Sequence, residues 1–430
     1  MIVEFSVKNF RSINTLQTLS FVATGLKSAD EYSEVDENNI CEEGDLRLLK
    51  TVGIYGANGS GKSNIISALN HFLTAIKSEA SASSNLEYLN DPFLYQDNSE
   101  QTESFFQIVL LLNGRKFRYG FTVKEGNRNS NDQIVTNEWL FGIVEKNMSA
   151  YFTREGLVVS PRRVLNAEKI PSELPYNHSL YLTQAAAFDG TGICARIRQY
   201  LKGRTLSNSA NGSVNFRRHS FKMVEQEDTK ETLIYLLSVF NLKFTDITIQ
   251  DQKDNEKGLN KIYSLDRIDF WKIIKLNETE KKIRLNLIKN ESAGTQKLFE
   301  LAGFLLSVFS MSVGGLLILD EIDSNFHPSL LIKLISLFND PLINSNRTQL
   351  LFTSHDTNLL SPAIMRRDQF YFAEKLEDDS TRLYSLADLK GIRNDADFAK
   401  SYLAGLYGAT PTLDKYLSID TKQEYGTMEL

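Results

Sequence analysis

Apolar and polar positions alternate from the first residues of the chain. Ile2, Val3, Phe5 and Val7 form one strand-like run, and Leu16, Leu19, Phe21 and Val22 form another across the segment NFRSIN, which predicts a hairpin-like start. Residues 23–44 are rich in Ser, Asp, Glu and Asn and read as an exposed loop or partly disordered flap. A strand is expected over 48–55. Ile65, Ile66, Leu69, Phe72, Leu73 and Ile76 then recur at helical spacing. Two strands joined across Asn113-Gly114 predict a second hairpin, with further strands over 134–144 and near Tyr151 and Val158. The pattern over 191–290 reads as mainly helical, with a mobile-looking Ser, Asn and Gly stretch at 203–220. Alternation returns with a helix over 296–310, the strand Leu316–Leu319, a helix from Pro328 and the strand Gln349–Thr353. The expected class is α/β, with an N-terminal lobe at 1–190, a helical insertion at 191–290 and a C-terminal lobe at 291–430.

Composition narrows this little. The chain has 430 residues, 42% apolar and 24% charged, which suits a folded protein with a large core. Its net charge of -6 excludes a uniformly basic surface but not a local basic patch. Cys41 and Cys194 are the only cysteines and form no metal-binding or disulfide spacing, so a reducing cytosol is expected. The longest apolar stretch, 298–313, is interrupted by Glu300 and falls short of the ~20 residues of a membrane span. The opening residues lack the charge and apolar order of a secretory leader.

Chemistry enters at Gly56-Ala57-Asn58-Gly59-Ser60-Gly61-Lys62-Ser63, which fits the phosphate-loop pattern in full and lies between a predicted strand and a predicted helix. The glycines let backbone N–H groups of Asn58, Gly59, Ser60 and Gly61 close around phosphates. Lys62 supplies a positive charge and Ser63 an oxygen for Mg²⁺. The apolar strand Leu316–Leu319 runs into Asp320 and Glu321, a carboxylate placed to hold the metal and a candidate general base. A nucleotide and Mg²⁺ are therefore the expected ligands.

Two further segments carry a resemblance. Ser292-Ala293-Gly294 precedes a helix ahead of the acidic strand, and His355 follows the strand after it. In this order, and with Asn9-Phe10-Arg11-Ser12 at the start, the chain resembles the ABC-type ATPases of the SMC and RecF-like group. Ile2 to Ser12, Tyr55 to Asn58, Asp320 to Asp323 and the tail from Tyr402 to Pro411 look like the AAA-15/AAA-21-type family called RloA or AbiLi, found in abortive-infection phage defence. PARIS, Septu and retron-associated ATPases share the broad pattern. Phe326-His327-Pro328 resembles a segment of overcoming-lysogenization-defect-type ATPases, and Leu406 stands where the family has arginine.

The resemblance implies an ABC-type P-loop ATPase head with an antiparallel β lobe. It also implies a homodimer, or a higher oligomer of dimers, in which Ser292 and Gly294 meet the partner's ATP, a γ-phosphate role for His355, and a phosphate or DNA role for Arg11. Gln184 is the first candidate to link Mg²⁺ to attacking water, and Gln96 the second. No sustained heptads separate the lobes, and the residues after Leu386 are too few for a nuclease fold, so a separate effector protein is expected. The favoured reading is an ATPase sensor or scaffold in anti-phage defence. The alternative is an ATP-dependent DNA- or RNA-binding clamp, resting on Arg196, Arg198, Lys202, Arg204, Arg217, Arg218 and Lys222.

Overall fold

The computed structural model describes residues 1–77, 86, 88–96, 102–126, 133–144, 147–160, 165, 172–207, 213–251, 262–276, 279–310, 314–324 and 326–411. A six-stranded sheet forms the centre, in the order Thr205–Ser207, Leu316–Leu319, Gln349–Thr353, Thr51–Tyr55, Phe370–Lys375 and Thr381–Ser385. Its first five strands are parallel, and Thr381–Ser385 returns antiparallel. Strands from both ends of the chain are thus interleaved in one sheet.

Period-two alternation explains how this sheet is covered. Val52, Ile54, Leu316, Ile318 and Leu351 point to a core shared with Ile65, Leu69, Phe72 and Ile76 of the helix Lys62–Lys77. Leu317, Leu319, Leu350 and Phe352 point the other way, to a core shared with the helices Ala293–Phe309 and Pro328–Asn339. The first core is closed by an antiparallel seven-stranded sheet, in the order Val158–Ser160, Asn147–Glu155, Gln133–Val144, Arg115–Glu125, Ser104–Leu112, Ile2–Lys8 and Gln17–Ser20. Phe72 stacks on Phe121 of that sheet at 5.1 Å between centroids. At the predicted hairpin, Asn113 and Gly114 adopt φ of 52° and 72°, as a tight two-residue turn between twisted strands requires.

Three expectations are corrected. Residues 23–44 are not simply an exposed flap: they contain the helix Ser33–Asn38 and the strand Ile40–Glu43, which pairs with Leu46–Leu49. Polar side chains hold this segment, because Thr24 donates to Asp368 and Asp36 pairs with Arg366. The single strand expected over 48–55 is divided into Leu46–Leu49 and Thr51–Tyr55, each serving a different sheet.

The segment 191–290 is helical only in its first half, at Ile193–Arg204, Ser213–Val224 and Glu227–Val239. Its second half is a three-stranded antiparallel sheet of Asp246–Ile249, Ile268–Leu276 and Thr279–Asn286. Nor does it stand apart, since Thr205–Ser207 joins the central sheet and Ser220 bonds the carbonyl of Phe299 at 2.6 Å. Part of the stretch 203–220, including 208–212, lies outside the described residues. Among the described residues, no helix is long and apolar enough to cross a membrane.

Candidate functional site

The parallel strand Thr51–Tyr55 ends at the glycine loop, and the helix Lys62–Lys77 begins directly after it, so loop amides and a helix N-terminus face the same space. Gly56, Gly59 and Gly61 have positive φ, which allows the tight loop. A side chain at Gly56 would collide with the Ala373 carbonyl, and one at Gly61 with Thr381 and Ser12. Lys62 extends its amine back across the loop to the carbonyls of Gly56 at 2.8 Å and Ala57 at 2.9 Å. Burial pushes that amine down to about 8, while the Asp320, Asp323 and Glu321 carboxylates oppose the shift.

Ser63 donates to Asp320 Oδ1 at 3.3 Å, joining the two motifs across 257 positions of sequence. Thr353 at the end of the neighbouring strand fixes this acid: its hydroxyl donates to Asp320 Oδ1 at 2.5 Å and accepts from the Glu321 N–H at 2.7 Å. Glu321 is exposed and has φ of 50°, an unusual conformation for glutamate that turns its side chain out of the strand line. In the sequence Thr353 stands only beside the His355 segment. Its role comes from strand pairing, with Leu319 opposite Phe352, and no local signal marks it.

His355 is exposed, and its backbone N–H donates to Asp323 Oδ2 at 3.2 Å. The other Asp323 oxygen and the Tyr55 hydroxyl are buried without hydrogen-bond partners, as is the Ser60 hydroxyl in the loop. Ser292 caps the helix Ala293–Phe309 by accepting from Thr295 N at 3.1 Å. Gly294 lies in the first turn of that helix. Among the described residues, no hydrogen bond joins Ser292 or Gly294 to the glycine loop of the same chain. Lys297, one turn further on, donates to the Ser324 carbonyl at 2.6 Å and ties this helix to the segment after the acidic pair.

Other expected site residues have different neighbours. Arg11 pairs with Asp91 at 2.9 Å, and it is Ser12 that reaches the loop helix, accepting from Asn64 Nδ2 at 2.7 Å. Gln184 donates to Ser179 at 2.8 Å within its own turn. Gln96 donates to Asn9 at 3.2 Å, in the same turn that contacts the loop helix. Of the basic residues, Arg198 donates to the Ile76 carbonyl and Arg217 pairs with Glu300, whereas Arg218 and Lys222 are exposed. The Arg204 side chain lies outside the described residues.

This loop, acidic strand and third strand with its histidine coincide with the profile of one protein family, which matches residues 52–361. The chain belongs to the AAA_21 family. Its description reads "AAA domain, putative AbiEii toxin, Type IV TA system". No curated protein matches the sequence. Among solved structures, the chain is similar to the SMC head domain from Thermotoga maritima, with 13% identity and a TM-score of 0.42 over 89% of this chain and 98% of that one. It is also similar to the recombination mediator protein RecF, with 15% identity and a TM-score of 0.31 over the same shares. In this AAA_21 chain the phosphate loop, acidic strand and histidine are carried by adjacent parallel strands of one sheet.

Proposed function

We propose that this AAA_21 protein binds and hydrolyses ATP, and the observation that carries the reading is the Ser63–Asp320 contact beside the Lys62 loop. The oxygen donors of Ser63 and Asp320 suit Mg²⁺, a hard cation that keeps water and phosphate oxygens as its remaining ligands. Bound there, Mg²⁺ would neutralise phosphate charge. Lys62 binds the β and γ phosphates as a point charge, and the helix N-terminus adds to that field. Thr353 holds Asp320 in place, and Glu321 accepts a proton from the attacking water. His355 contacts the γ-phosphate or orients that water. Of the two glutamines considered, Gln96 has the better support, since its loop rests on the turn that reaches the loop helix.

Ser292 and Gly294 act in trans in a head-to-tail dimer, each helix N-terminus meeting the partner's ATP. From the resemblance we infer an ATP-dependent sensor that controls a separate effector in phage defence; the family description names a putative toxin of a toxin–antitoxin system. Glu321→Gln should bind ATP normally yet hydrolyse it roughly 10²-fold more slowly. Single-turnover hydrolysis and labelled-ATP binding measure both quantities, and wild-type turnover by this variant would remove Glu321 from the chemistry. In cells carrying the chain with its neighbouring gene, the same variant should lose phage protection if ATP turnover controls the effector.

A further inference from the structure

The C-terminal segment passes directly over the first turn of the phosphate loop. The Ala57 N–H, the first amide after Gly56, donates to the carbonyl of Ala409 at 2.9 Å. That carbonyl also accepts from the Tyr402 hydroxyl at 3.1 Å, so both of its lone pairs are used. Ala409 has φ of 56°, a conformation that costs a residue with a side chain and persists only where its surroundings fix it.

The surroundings do so on three sides. The Ala409 N–H donates to Glu374 Oε1 at 3.3 Å, the Tyr384 hydroxyl donates to the Tyr407 carbonyl at 2.6 Å, and Tyr402 stacks on Phe372 at 5.4 Å. Gly408 has φ of 72°, and a Cβ there would lie 2.6 Å from the Tyr384 hydroxyl and 2.7 Å from Glu374 Oε1. Only glycine fits. The strand Phe370–Lys375 therefore touches both partners, with Ala373 against Gly56 and Glu374 against Ala409.

We infer that the Tyr402–Ala409 segment is a positioning element of the ATP site, in which the Ala409 carbonyl fixes the direction of the Ala57 N–H and so presets the loop turn that receives the phosphates. The inference rests on the ATP reading above. Its physical basis is preorganisation: a loop held in its binding geometry loses less conformational freedom when the phosphates arrive. The Ala57 amide is committed to the protein, as is the Ser60 amide to the Ala57 carbonyl at 3.2 Å, which leaves the amides of Asn58, Gly59 and Gly61, together with Lys62, for the ligand. Glu374 acts through Ala409 and touches no phosphate.

Glu374→Ala removes the acceptor that orients Ala409, whereas Glu374→Gln keeps an oxygen in the same place. Wild-type protein, both variants and Lys62→Ala are compared by ATP equilibrium binding and steady-state hydrolysis. Loss of one orienting hydrogen bond should weaken ATP binding by Glu374→Ala roughly three- to tenfold and raise KM in step, with kcat within about twofold. Glu374→Gln should bind like wild type. Gly408→Ala, which pushes the tail off Tyr384 and Glu374, should shift binding in the same direction by more. Where a variant proves unfolded by circular dichroism, Tyr402→Phe replaces it, removing one hydroxyl donor from Ala409 with the same expected direction.

Unchanged ATP affinity in Glu374→Ala, or equal loss in Glu374→Gln, overturns the positioning role. Failure of wild-type protein to bind ATP more tightly than Lys62→Ala overturns the ATP reading instead.

Discussion

Lys62 shows how one buried atom sets a measurable condition on function. Burial lowers its amine to about 8, below the ordinary lysine range, because the charged form loses water. On the proposed reading, ATP binding needs that charge. Below about 8 the amine is already protonated and affinity should be level. Above it, binding must take up a proton, and affinity should fall by up to about tenfold per pH unit. The sign for folding is opposite: the cost of burying the charged amine is fully present below the folded value and disappears as pH rises toward the unfolded one, so stability rises over the window in which affinity falls. Calorimetry of ATP binding from neutral pH to about 9.5, in buffers of different ionisation heat, checks both affinity and proton uptake. Flat affinity across that window would place the amine's titration elsewhere. Lys62 and Ser63, and Asp320 and Glu321, stand out as candidates in the sequence because each of the two motifs is local. Thr353, which orients Asp320, does not, since only the pairing of separate strands brings it there.

At the scale of elements, strands are readable in the sequence where they are fully buried or buried on one face, and not where neither face is cleanly buried. Leu316–Leu319 sends successive side chains into two different cores and was found at its bounds. The strands Ile268–Leu276 and Thr279–Asn286 pair with each other while Ile273 stays 49% exposed, so their apolar positions do not follow a strict period of two and resemble a helix pattern. Polar anchors were equally hidden. Glu138 and Arg154, both fully buried, pair at 3.1 Å across adjacent strands, and Glu138 also accepts from the N–H groups of Tyr181 and Leu182. The pair therefore fixes the start of the helix Tyr181–Ala185 against the seven-stranded sheet. Glu138→Ala leaves the guanidinium buried without its counter-charge and should destabilise the fold by about 3–5 kcal/mol. Urea unfolding monitored by circular dichroism measures this, and a loss below about 1 kcal/mol would mean that carbonyl contacts suffice for Arg154.

For the whole molecule, the interleaving of early and late strands in one sheet brings the phosphate loop, acidic pair and histidine together in a single copy, but among the described residues the Ser292 hydrogen bonds stay within its own helix. An exposed N-terminus of a 17-residue helix attracts anions, and no loop of the same chain is bonded to it among the described residues. In the proposed dimer, a second copy turned head to tail would supply the missing phosphate. Ser292→Arg should then spare ATP binding by the single head while abolishing turnover, because bulk and charge occupy the place where the helix meets the partner's nucleotide. Loss of the Ser292 cap adds about 1 kcal/mol of destabilisation, which thermal unfolding separates from the effect on turnover. Mixing Ser292→Arg with Lys62→Ala is the sharper experiment. In a mixed dimer one composite site holds both lesions and the other holds neither, so part of the wild-type rate should return, in proportion to the mixed dimers counted by native mass spectrometry. Turnover that stays absent in confirmed mixed dimers would mean that the two sites do not work independently. Full activity of Ser292→Arg alone would show that this helix end takes no part in hydrolysis.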